Sequence, residues 1–231
     1  MVKFYTSSEE AIFDINDNAS LLVGGFGLTG IPENLLKAIN KKGITNLTII
    51  SNTAHTDKYG LGPIFGKKQI KSFLASYIGE NPIAETQYFN NEIDLELVPQ
   101  GTIAERLRAK SAGIPAFYLP AGVGTEVAEN KEIRVIEGRE YLLETALGAE
   151  FALIKGWKAD KEGNVVFKRT AKNFNPVMAS AAKITIVEVE EVVENGQLDP
   201  DFIHTPGIYV DRIIHGETFE KPIEFLTVRN D

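Results

Sequence analysis

Four glycines fall within seven residues at Gly24-Gly25-Phe26-Gly27-Leu28-Thr29-Gly30, and their flanks constrain the fold more than any other stretch. The apolar run Ser20-Leu21-Leu22-Val23 stops at the first of them, as a buried strand does. Ile31-Pro32-Glu33 then opens a helix, because Pro suits the first turn and Glu33 the positive helix end. Ile31, Leu35, Leu36 and Ile39 share one face, and Gly43 stops the helix. Asn46 to Ser51 is a second strand. Strand, glycine loop, helix and strand in succession make a βαβ unit, which requires a parallel sheet. A tight turn with positive φ needs one or two glycines. The surplus points to a loop whose backbone approaches a ligand and aims N–H groups at it.

The alternation continues downstream. Phe73 to Ile78 reads as a strand and Pro82 to Phe89 as a helix. Ile93 to Val98 alternates at period two, and Thr102-Ile103-Ala104-Glu105 has the form of a capping box for a helix running to Ser111. Ala116 to Leu119 is a short strand. From Glu132 to Phe167 the signal changes to hairpins, with turns at Glu137-Gly138-Arg139 and Lys161-Glu162-Gly163-Asn164. Asn175 to Ala182 reads as a helix and Ile184 to Val189 as a strand. The expected fold class is α/β, an open, mainly parallel sheet flanked by helices with a β-rich hairpin insertion. No repeat, low-complexity tract or long linker divides the chain, so residues 1–231 are expected to form one domain.

Composition narrows the chemistry. The net charge of −8 argues against nucleic acid as the main partner, since duplex binding rests on phosphate neutralisation by Lys and Arg. A local cluster of N–H groups still suits an anionic small molecule. With no cysteine, thiolate nucleophiles and zinc–thiolate sites are excluded. The N-terminus has no apolar signal core and no apolar run reaches membrane-spanning length, so a cytoplasmic protein is expected.

Residues 25 to 30 also match G-x-G-x-x-G, the dinucleotide fingerprint. That site wants an acidic residue at the end of the second strand, where this chain has Ser51-Asn52, so a nicotinamide-dependent oxidoreductase is the weaker alternative. Gln100, after the alternating strand, points to the crevice where open α/β sheets bind ligands, and its amide is suited to steadying an oxyanion or to bonding a loop carbonyl. Asn52 borders the same crevice, as a turn cap or a polar contact. Glu80, in Gly79-Glu80-Asn81-Pro82, has the form of a nucleophile or of a solvated loop carboxylate. Glu188, Glu190, Glu191 and Glu194 read as a solvated helix start. His55, His204 and His215 share no ligand spacing, so no metal is expected.

The segment Asn18 to Glu33, with its Gly24-Gly25-Phe26-Gly27-Leu28-Thr29-Gly30-Ile31-Pro32 core, resembles family I (3-oxoacid) coenzyme A transferases. The likeness extends over nearly the whole chain, through Gly60-Leu61-Gly62-Pro63, Ser76-Tyr77-Ile78-Gly79-Glu80-Asn81 and Val98-Pro99-Gln100-Gly101-Thr102. Pro115-Ala116-Phe117-Tyr118, Lys155-Gly156-Trp157-Lys158-Ala159-Asp160 and Ala171-Lys172-Asn173-Phe174-Asn175-Pro176 are likewise similar to the first of the family's two subunits. The resemblance implies a ping-pong reaction in which a glutamate on the second, partner subunit carries CoA, within an A2B2 heterotetramer. CoA is then a substrate and no cofactor is implied. The family's CoA-binding segment falls on Gly24, Gly25, Phe26, Gly27, Leu28, Thr29 and Gly30, its oxyanion glutamine on Gln100, and a polar contact to substrate on Asn52. Members using acetoacetate or acetate both fit. Thr29, Thr53 and Ala121 depart from residues common in relatives, and the partner's Ser-Glu-Asn-Gly motif does not occur here.

Overall fold

In the computed structural model, residues 2–223 are described, so Met1 and residues 224–231 of the expected 1–231 domain lie outside the described residues. The chain opens with β1 (Lys3–Tyr5), α1 (Ser8–Ala11), β2 (Ser20–Val23), α2 (Glu33–Lys42), β3 (Leu47–Ser51) and α3 (Gly62–Gly66). It continues with β4 (Ile70–Ala75), α4 (Pro82–Phe89), β5 (Asp94–Leu97), α5 (Gln100–Ser111), β6 (Ala116–Leu119), β7 (Ile133–Ile136) and β8 (Arg139–Thr145). The last elements are β9 (Ala149–Lys155), β10 (Lys158–Asp160), β11 (Val165–Val166), α6 (Asn175–Ala179), β12 (Ala182–Val189), β13 (Glu191–Val193) and β14 (Arg212–His215).

Eight strands form the main sheet in the order β1-β14-β12-β9-β2-β3-β4-β5. Every neighbouring pair in it is parallel. Side chains alternate between two buried faces. Leu21, Val23, Ile49, Leu153 and Ile186 pack with α2 and α3 through Leu35, Leu36, Ile39 and Phe65. Leu22, Ile50, Ala152, Ile154 and Val187 pack on the other face with Ile103 and Leu107 of α5 and Met178 of α6. Two covered faces explain why these strands are continuously apolar, and each fully buried Leu or Ile adds about 1.5–3 kcal/mol. Connections run outward from β2 towards β5 and from β9 towards β14, so the order reverses between β2 and β9. Ligands of open α/β sheets bind in the crevice beyond the strand ends at such a switch.

The expected βαβ unit is present, and Gly43 ends α2 at φ 73°, with its N–H on the Ile39 carbonyl. The hairpin expected at Glu137-Gly138 joins β7 to β8, with both turn residues at positive φ. Several boundaries differ. The segment read as hairpins from 132 to 167 contains β9, a central strand between β12 and β2. The strand expected at 73–78 is Ile70–Ala75, and the helix expected to Ala182 ends at Ala179 because β12 pairs with β9 from Ala182. The helix expected to start at a Thr102 cap begins at Gln100 behind Pro99, and Thr102 lies inside it with a buried hydroxyl that has no partner among the described residues. Pro99, at φ −52° and ψ 134°, sets the entry angle two residues early, and Glu105 pairs with Arg108 at 2.7 Å instead of closing a box. The strands β1 and β14 and the one-turn helix α1 were not anticipated, being too short for periodicity to register.

Candidate functional site

The glycine loop leaves β2 at the switch point. Gly24 N–H donates to the Leu153 carbonyl of β9 at 3.0 Å, and Phe26 and Thr29 exchange two backbone hydrogen bonds of 3.0 Å around Gly27-Leu28. Packing within the chain accounts for three of the four glycines. A Cβ on Gly24 would lie 1.9 Å from Asn175 Oδ1, one on Gly25 2.6 Å from the Ile31 side chain, and one on Gly30 2.6 Å from the Ala171 carbonyl. Gly27, at φ 51°, faces open space, and its N–H and that of Leu28 have no partner among the described residues. The part of the loop available to a ligand is therefore its tip, where Phe26 is half exposed.

The N-terminus of α2 does not serve as an anion site. Asn34 and Leu35 donate their backbone N–H groups to Glu188 Oε2 at 2.8 and 2.9 Å, and the Asn34 amide donates to Oε1 at 3.2 Å. This corrects the reading of Glu188 as part of a solvated helix start. It is a fully buried residue of β12 that supplies the cap that Pro32, lacking a side-chain acceptor, does not. Burial pushes the Glu188 carboxyl up to about 7, against the Leu35 N–H, the Lys155 ammonium and the Asn34 amide, which favour the ionised form.

Asn175 ties the loop to its surroundings. Its Oδ1 accepts from Lys155 N–H at 2.9 Å, and its Nδ2 donates to the Gly30 and Ala171 carbonyls at 3.0 and 2.9 Å. Asn173, at φ 20°, donates to the Thr29 carbonyl at 3.0 Å. Between these walls Phe26, Thr29, Arg169, Thr170, Lys172 and Asn173 line an open cavity of about 660 Å³. Two cations on the rim make it suited to an anionic, partly apolar molecule although the chain as a whole is acidic.

Asn52 and Gln100 are brought together. Asn52 follows β3 and is 1% exposed, whereas Gln100 is the first residue of α5 and is exposed. Gln100 Nε2 donates to Asn52 Oδ1 at 2.8 Å. Ser51, at the end of β3, anchors this edge to β2 through its hydroxyl on the Val23 carbonyl at 3.0 Å. Ser76, immediately after β4, reaches both Asn52 oxygens. Sequence reasoning missed Ser76 because it carried the strand through to Ile78, which made a strand-end residue look internal. Asn175 was missed because its partners Gly30 and Lys155 lie far away in sequence, although Asn175-Pro176 is a recognisable helix start. Arg169 and Lys172 were missed because the cavity they line forms only where their segment meets the glycine loop.

Other candidates lie apart from this cluster. Glu80 is exposed in the turn before α4, and the neighbouring Asn81 caps that helix through Oδ1 to the Ile83 and Ala84 N–H groups. His55 is buried and uncharged: Nδ1 accepts from Leu61 N–H at 3.0 Å, and burial lowers its pKa to about 3. No group of three or more His, Asp or Glu residues placed to hold a metal occurs among the described residues.

Among known proteins, the coenzyme A transferase family profile matches residues 5–216. A Bacillus subtilis protein, named as the first subunit of a probable succinyl-CoA:3-ketoacid coenzyme A transferase, is 52% identical over 99% of this chain and 96% of its own length. A Helicobacter pylori (strain J99) protein, named as the first subunit of succinyl-CoA:3-ketoacid coenzyme A transferase, is 54% identical over 100% of this chain and 99% of its own. Among solved structures, an acyl-CoA transferase from Escherichia coli O157:H7, described as a thioester complex with CoA, superposes with a TM-score of 0.85 at 25% identity. That match covers 95% of this chain and 48% of the other, so this chain spans about half of that enzyme.

Proposed function

The chain belongs to the coenzyme A transferase family, and on that premise we propose that it is the first of the two subunits of a succinyl-CoA:3-ketoacid coenzyme A transferase. The observation that carries the reading is the Gln100–Asn52 hydrogen bond, which holds an exposed amide at the sheet edge where the glycine loop opens. In this proposal the nucleophile is a glutamate of the partner subunit in a cytoplasmic A2B2 assembly. Its carboxylate adds to the thioester carbonyl of succinyl-CoA and expels CoA thiolate, leaving an acyl–glutamyl anhydride. The thiolate then attacks the glutamyl carbonyl, releasing succinate and leaving a glutamyl-CoA thioester. A 3-ketoacid carboxylate such as acetoacetate attacks that thioester and again displaces the thiolate. The thiolate takes the new acyl group and regenerates the glutamate. Covalent catalysis divides one hard transfer into easier steps.

This chain contributes binding and charge stabilisation. Gln100 Nε2 carries two hydrogens. One is held by Asn52, and the other is directed at the carbonyl oxygen that becomes an oxyanion. The Arg169 and Lys172 side chains line the cavity that receives the anionic part of CoA, and the Gly27 and Leu28 N–H groups lie at the tip of the glycine loop, next in sequence to Phe26 and Thr29 of that lining. CoA is a substrate here, and no resident cofactor enters the scheme.

The test is mass spectrometry of the reconstituted complex after incubation with succinyl-CoA. A CoA-derived adduct is expected on the partner subunit while this chain keeps its mass, and this chain alone gives no turnover. Turnover by the lone chain, or a mass shift on the peptide containing Glu80, would overturn the assignment.

A further inference from the structure

We propose that Ser76 is a positioning residue for the transfer reaction, acting through Asn52 to hold the Gln100 amide in register. The inference rests on the reading of Gln100 as the oxyanion donor. A glutamine at the first position of a helix is exposed and has three rotatable bonds, so by itself it samples many orientations. Among the described residues its one side-chain anchor is Asn52 Oδ1, at 2.8 Å. That anchor is useful only if the Asn52 amide is itself held with its oxygen towards Gln100, because a rotated amide would present a donor to a donor.

Ser76 supplies the constraint. Its backbone N–H donates to the Asn52 carbonyl at 3.0 Å, which fixes the two strand ends side by side. Its hydroxyl lies 2.8 Å from the same carbonyl and 3.0 Å from Asn52 Oδ1, so its single proton is shared between the two oxygens. Asn52 Oδ1 thus receives donors from both Ser76 and Gln100. The opposite end of the amide, Nδ2, is buried without a partner among the described residues. An amide that leaves its donor end unsatisfied while both bonds fall on its oxygen is oriented by those bonds. Removing the Ser76 hydroxyl takes away one of the two. It also lets Asn52 rotate to satisfy Nδ2, and Gln100 is then released.

The test uses the reconstituted enzyme, both subunits present, with Ser76→Ala and Ser76→Thr, each alone and combined with Gln100→Ala. Ser76→Ala should lower kcat about 3- to 10-fold, the range of one net hydrogen bond, with KM for succinyl-CoA nearly unchanged. Ser76→Thr keeps the hydroxyl and should restore most of that loss. In the Gln100→Ala background, Ser76→Ala should have no further effect, because the residue it positions is gone. The proposal for Ser76 is overturned if its kcat effect persists undiminished in that background, or if Ser76→Thr is as slow as Ser76→Ala. A Gln100→Ala enzyme with unchanged kcat would instead overturn the oxyanion reading itself. Thermal melts of the assembled complex separate these outcomes from simple unfolding.

Discussion

His55 links acidification to the loop that follows Asn52, and the structure sets the size of the effect. The residue sits at φ 58° and is 1% exposed. Its Nδ1 accepts from Leu61 N–H at 3.0 Å, and Gly60 lies against the ring so closely that a Cβ there would be 2.2 Å from Nδ1. Protonating Nδ1 would set a donor against a donor inside a buried loop. Burial holds the pKa at about 3 in the folded chain, against 6.5 for an ordinary histidine. Above pH 6.5 both folded and unfolded chains carry neutral imidazole, and nothing is lost. Below 6.5 the unfolded chain gains a proton that the folded chain refuses, so stability falls with pH until the folded group titrates near 3. At pH 5 the loss is 1.5 pH units below the unfolded pKa, or about 2 kcal/mol. In His55→Asn, Oδ1 replaces Nδ1 as acceptor and Asn tolerates the left-handed backbone, so this loss disappears while a pH-independent cost for the vacated ring remains. Urea unfolding at pH 7 and pH 5, followed by Trp157 fluorescence, measures it. The variant should gain about 2 kcal/mol on wild type between the two pH values. Glu188, whose raised pKa gives a slope of opposite sign between 4.5 and about 7, is common to both proteins and cancels. A difference between variant and wild type that does not change with pH would refute the argument.

Two further outcomes follow from the loop and its cavity. Gly24→Ala drives a methyl into Asn175 Oδ1, the acceptor for Lys155 N–H, and should cost about 2–4 kcal/mol, read as a lower Tm, whereas Gly27→Ala should cost only about 1–2 kcal/mol for its positive φ. Equal Tm losses for the two would count against the packing account of Gly24. Lys172→Glu in the reconstituted enzyme should raise KM for succinyl-CoA about 5- to 30-fold with little change in kcat, and the effect should shrink in high salt. A salt-independent loss confined to kcat would remove this rim from CoA binding.

What was legible in the sequence was what neighbouring residues decide among themselves. Leu21-Leu22-Val23 and Leu47 to Ser51 announced buried strands because both faces of a parallel sheet are covered. Gly43 and the Glu137-Gly138 turn were readable because a positive φ is a local demand. Asn52 and Gln100 were readable as strand-end residues, and the fold places them in one hydrogen-bonded pair. Other features were settled only by distant partners. The strand β9 reads locally like any other short apolar run in a hairpin region, and becomes central because β2 and β12 accept it on either side. The glycines of the loop look ligand-directed until Asn175, Ala171 and Ile31 are seen filling the space a Cβ would need. Glu188 shows the division most plainly. Amid Glu190, Glu191 and Glu194 it has every local mark of a solvated carboxylate. It is buried because the N-terminus of a helix 154 residues earlier in the chain presents two unpaired N–H groups to it, and only chain folding brings that donor pair within 2.8–2.9 Å. Backbone propensity and turn chemistry are properties of a few adjacent residues, whereas hydrogen-bond satisfaction in a buried interior is a property of whichever groups the topology brings face to face.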